Sequence, residues 1–142
     1  MSTPTWVLAV AAMGIIALAD FSTRQSGGKI SPSLGTLIYA VTAIAVPLVW
    51  TLVTRSDGGL LISREGVLWS MAVGVCFSIF TGLMFLLFSQ GVNLSIGSPV
   101  VRMGGIVLAA TLGIVVFREG FNLQYLLGFL LAAVGIFLVV TR

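Results

Sequence analysis

Arg102 is the only charge in the apolar run from Pro99 to Phe117, within the stretch SPVVRMGG that opens at Ser98. A guanidinium stays protonated at any physiological pH. A cation placed there either snorkels its stem toward headgroups or faces an interior that supplies an anion. Asp20 and Arg24 stand four apart with the acid first, a spacing that lets them share a helical face as an interfacial ion pair or a coupling site. Ser78 falls on one face with Thr81 and Gly82, where hydroxyls either bond their own carbonyls four residues back or line a substrate cavity.

Other chemistries lack materials. The chain has no histidine and one cysteine, Cys76, so histidine-based triads, the usual zinc sites and an intrachain disulfide are excluded. No carboxylate pair at helical spacing lies within an apolar run, and no nucleophile is placed beside a base. The expectation is a protein that is not an enzyme and holds no metal or cofactor. Seven Lys/Arg stand against four Asp/Glu, yet the cations are scattered singly, which is not a nucleic-acid footprint.

The elements that must position these residues follow from composition. Of 142 residues, 58% are hydrophobic and 8% charged, where soluble domains carry roughly a quarter charged. The expected fold is all-α and integral to a membrane, one domain of five transmembrane helices with no soluble domain, over residues 6–21, 34–53, 67–88, 99–117 and 123–140. The opening MSTPT has no cation, so the first apolar run is kept as a mature helix rather than a signal peptide. Pro47 predicts a kink in the second span. Ser98-Pro99 reads as the cap and first position of the fourth, which puts Arg102 one turn inside it. The longest polar connection is Thr54–Gly66, with Leu60-Leu61-Ile62 as an interfacial turn. Gly14 in the first span and Gly105 in the fourth suit close approach to a cavity. The ladder of Gly105, Ala109 and Gly113, and Gly128, Ala132 and Gly135 in the fifth span, suit helix packing.

Five spans put the termini on opposite sides. One side then carries Arg55, Arg64 and Arg118, and the other Arg24, Lys29 and Arg142, with Arg102 within a span. Orientation follows a Lys/Arg imbalance, and three against three is almost none. Trp6, Trp50 and Trp69 all fall toward one interface, an asymmetry that favours one orientation.

The segments ADFSTRQSGGKISPSLG, SPVVRMGG and FREGFNLQYLLGFLLAAVGIFLVV, with Glu119 just after the fourth span, resemble a single EamA-type unit of the drug/metabolite transporter superfamily. The resemblance extends over essentially the whole chain in span number and loop length. Family patterns carry Gly before that acid, where this chain has Arg118. The resemblance implies movement of small metabolites across the bacterial inner membrane, through a cavity between two five-helix units of opposite orientation. With one unit in the chain, it implies an antiparallel homodimer in the lipid bilayer. Related small multidrug transporters place a glutamate mid-way along the first span; here that place holds Ala12-Met13-Gly14, and Arg102 points to an anionic, zwitterionic or lipid-phosphate substrate.

The expected function is therefore small-metabolite transport by alternating access. The alternatives are one half of a heterodimeric transporter and a non-transporting membrane subunit. Dual insertion is checked with single cysteines at the N-terminus and after Arg142, in a Cys76→Ser background, labelled by an impermeant reagent on intact cells. Both ends are expected to label in part; labelling of one end alone rules out an antiparallel homodimer.

Overall fold

The structure is a computed structural model that describes residues 3–57, 62–118, 120 and 122–141. Six helices follow one another: α1 (Thr3–Ser26), α2 (Pro32–Ala43), α3 (Ala45–Asp57), α4 (Arg64–Ser89), α5 (Leu94–Phe117) and α6 (Leu123–Val140). The described residues contain no strand. Four stretches, Thr5–Ser26, Pro32–Arg55, Arg64–Ser89 and Leu94–Phe117, are long and apolar enough to cross a membrane. The 18 residues of α6 are apolar throughout their described centre, Leu126–Gly135. Leu60-Leu61, Glu119 and Arg142, named above, lie outside the described residues.

The chain divides into two compact units, one through Gly91 and one from Val92. In the first, α4 is the central element: α1 and α2 both pack on it, and α3 packs on α2. Its contact face is spaced by threes. Gly82 faces Thr36, whose Oγ1 would lie 3.3 Å from a Cβ at Gly82; the Phe85 ring would lie 2.9 Å from a Cβ at Gly35. Three residues on, the Phe88 carbonyl oxygen would lie 3.0 Å from a Cβ at Gly27. Glycine at 27 and 35 therefore lets the α1 and α2 ends reach α4 at backbone distance. Met84, Phe85 and Phe88 are the buried hydrophobic residues, with Phe88 only 1% exposed. Gly28, at φ +76°, turns the chain between α1 and α2, as the Gly27-Gly28 pair predicts.

The remainder of this unit is open. Residues 41–55 and 62–77 are exposed throughout, as are all of 5–19 except half-buried Ala9. Packing is thus confined to one end of α1, α2 and α4. The second expected span divides at Ile44 into α2 and α3, because Pro47 has no N–H for the Ala43 carbonyl. Thr42 Oγ1 reinforces the last turn before the break, 2.9 Å from the Ile38 carbonyl and 3.1 Å from that of Tyr39. α4 starts earlier than expected, at Arg64, because Ser63 Oγ accepts from the Gly66 N–H at 3.1 Å.

The second unit is α5 packed on α6. Here the expected start at Ser98-Pro99 is corrected. The N–H groups of Ile96 and Gly97 donate to the Asn93 carbonyl at 3.1 and 2.9 Å, so α5 is capped at Asn93 and Pro99 lies inside it. The proline is tolerated as the sixth helical residue, leaving the Ser95 carbonyl without its usual donor four residues on. Arg118 ends α5 in the left-handed region, φ 54° and ψ 37°, its N–H donating to the Gly113 carbonyl. Glycine holds such a cap without the Cβ clash, a physical reason for Gly at this position in the family patterns.

Gly35→Val is expected to destabilise the chain by roughly 1–3 kcal/mol through overpacking against Phe85, with partial recovery in Gly35→Val/Phe85→Ala. Gly14→Ala, which meets nothing within 4 Å, serves as the neutral control. Thermal unfolding in detergent distinguishes them, and equal midpoints for Gly35→Val and the control would reject the Phe85 contact. Arg118→Gly is expected to raise stability by about 1 kcal/mol in the same assay, by relieving the left-handed cap.

Candidate functional site

In the first unit several hydroxyls are tied to their own helix four residues back: Ser22 to Leu18, Thr23 to Ala19 and Thr36 to Pro32, each at 2.8 Å. Such back-bonding satisfies the hydroxyl where water is scarce. Ser78 and Thr81 have no side-chain hydrogen-bond partner among the described residues, as is true of exposed Ser31, Ser33, Thr51, Thr54 and Ser70, but these two are half-buried on α4. They stand on the Phe85 face, one to two turns before it, where the packed end of the unit gives way to the exposed stretch 62–77. A hydroxyl left open at that boundary can donate to one group and accept from another.

Asp20 is the buried charged residue of this unit, 5% exposed near the end of an apolar helix. Its burial does not match an exposed ion pair at headgroup level, and Asp20 is engaged by another group rather than free. Arg24, four residues on, is half-buried. Burying a carboxylate inside an apolar helix is costly unless it is partnered, so such a position is functional by default. Thr36, opposite Gly82, is a contact residue of α2 on α4 that sequence reasoning missed. Its signal was faint, a Pro-Ser-Leu-Gly-Thr start to a helix in which only Gly35 marks a close neighbour.

In the second unit Arg102 is half-buried and also engaged rather than free. Because α5 begins at Leu94, Arg102 is its ninth residue, about 12 Å along the axis rather than one turn in. That depth moves the guanidinium away from the helix end. Open space faces the Cβ position of Gly105, Gly128 and Gly135, as it does at Gly14 in the first unit, so none of these four receives a neighbour within 4 Å. Gly113 is buried, Ala132 half-buried and Ala109 exposed. Between α5 and α6 lies an apolar groove of about 530 Å³, lined by Ile106, Val107, Gly128, Phe129 and Ala132, with Asn122 and Gln124 at one end.

Comparison with family models, with characterised proteins and with solved structures finds no match. The function therefore rests on the residues themselves.

Ser78→Ala and Thr81→Val remove hydroxyls that bond to nothing among the described residues, so each is expected to change stability by no more than about 0.5 kcal/mol. Thr36→Val loses the bond to the Pro32 carbonyl and is expected to cost about 1 kcal/mol. Chemical or thermal unfolding of the three variants checks the contrast; a large loss in Ser78→Ala would mean that its hydroxyl has a structural partner.

Proposed function

We propose that the chain is a half-size transporter of small metabolites in the bacterial inner membrane, crossing it five times and working as an antiparallel homodimer by alternating access. The observation that carries this reading is the pair of half-buried hydroxyls, Ser78 and Thr81, that have no hydrogen-bond partner among the described residues and are set on an apolar helix where its packing ends. In a bilayer, polar groups without partners are costly, and they are kept where they line a cavity or meet a ligand. The buried carboxylate of Asp20 and the depth of Arg102 along α5 support the same reading. The near-equal division of Lys/Arg between the two sides supports insertion in both orientations. So does the resemblance of the chain to one EamA-type unit, a fold in which two units of opposite sense make one transporter.

On this proposal the roles divide by chemistry. Arg102 attracts an anionic or zwitterionic substrate, Ser78 and Thr81 supply hydrogen bonds that orient it, and Asp20 couples its movement to a cation or proton. None of these steps makes or breaks a covalent bond in the substrate, so the protein acts as a carrier and not as an enzyme.

The test is uptake of a panel of radiolabelled anionic and zwitterionic metabolites into proteoliposomes. Arg102→Ala is expected to lower uptake at least tenfold, Arg102→Lys to retain part of it, and Ser78→Ala with Thr81→Val to lower it several-fold without loss of stability. Unchanged uptake in all three removes these residues from the pathway. Absence of uptake by the wild-type chain, together with its recovery in a stable complex with a different membrane protein, would instead identify a non-transporting subunit.

A further inference from the structure

The groove between α5 and α6 belongs wholly to the second unit and has no part in the site assigned above. Its volume of about 530 Å³ lies within the ~300–1,000 Å³ span of small-molecule pockets, and its walls are aliphatic and aromatic. Ile106, Leu108, Leu126, Leu127 and Leu130 of the two helices are exposed around it. One end is different. Asn122 and Gln124 line it there, and exposed Arg118 stands in the same turn, held in place by its left-handed cap. Asn122 Oδ1 accepts from the Gln124 N–H at 3.4 Å, which leaves the Asn122 amide group as a donor toward the groove end.

We infer that this groove is a phospholipid site, with one acyl chain lying between Ile106, Val107, Phe129 and Ala132 and an anionic headgroup beside Arg118 and Asn122. Three observations select that occupant. First, lipid tails are as apolar as the helix side chains, so nothing drives the walls to close and a chain from the surrounding phase fills the gap by dispersion contact. Second, Gly128 presents open space along the groove instead of a side chain. Third, the cation and carboxamides are confined to one end, the arrangement a headgroup needs when its tail runs along the helices. Glu119, the next residue in sequence, carries the opposite charge, so the two charges are separated by experiment.

The full chain, purified in mild detergent, is titrated with phosphatidylglycerol or phosphatidylcholine and the bound lipid read by native mass spectrometry. Wild type is expected to retain phosphatidylglycerol at about tenfold lower concentration than phosphatidylcholine. Gly128→Leu, whose side chain enters open space, should weaken retention of both about tenfold. Arg118→Asn, which tolerates the left-handed backbone, should abolish the preference, and Glu119→Gln should widen it. Equal retention by Gly128→Leu and wild type overturns the proposal, as does equal affinity of wild type for the two lipids. Ala132→Phe fills the groove one turn further along the same face of α6 and gives the same reading should Gly128→Leu fail to fold. A change in oligomeric state by either variant with lipid retention unchanged would assign the groove to a second copy. The readout does not involve transport, so it stands or falls apart from the proposed function.

Discussion

The ring of Phe85 seated over Gly35 is the contact on which the first unit depends. A Cβ at residue 35 would lie 2.9 Å from that ring, so the two helices approach as closely as they do only because one of them lacks a side chain there. Within a bilayer such proximity substitutes for the hydrophobic effect, since exposing leucine to a lipid tail costs nothing that burial could recover. The same logic fixes the ends of the contact. Three residues before Phe85, Gly82 admits Thr36; three residues after, the carbonyl of Phe88 meets Gly27 at backbone distance. One face of α4 thereby holds α1 and α2 in register using very few atoms.

That economy determines where polar groups are tolerated. Hydroxyls near the contact bond back to their own helices, and the carboxylate of Asp20 is buried where the helices converge. Beyond the convergence the chain stops packing against itself, and there Ser78 and Thr81 keep their valences open.

Much of this was legible in the sequence, for reasons that are local. Apolar runs of membrane length gave the helices, Pro47 gave the break between α2 and α3, and Gly27-Gly28 gave the first turn. Ser98-Pro99 misled because a cap followed by proline satisfies every local rule for a helix start. The true start at Asn93 lies between a left-handed Gly91 and a carbonyl that accepts from both Ile96 and Gly97, an arrangement that outweighs the local cost of an internal proline. The burial of Asp20 could not be read from its place along α1, because burial depends on what arrives beside it. Ser78 and Thr81 could be placed on a face by spacing alone. Whether a hydroxyl bonds its own backbone is decided by side-chain rotation, which spacing does not report.

The confinement of packing to one end of the first unit also has a mechanical meaning. From Ser78 back to Arg64, α4 extends about 21 Å without a buried residue, and α1 has a comparable free length. A long, stiff arm anchored only at one end behaves as a lever whose fulcrum is the Gly35–Phe85 contact. A tilt of about ten degrees there displaces the far end by several ångströms while changing the fulcrum contacts by a fraction of one. Geometry alone thus makes the far end of α4 far more sensitive to a tilt than the contact at its base.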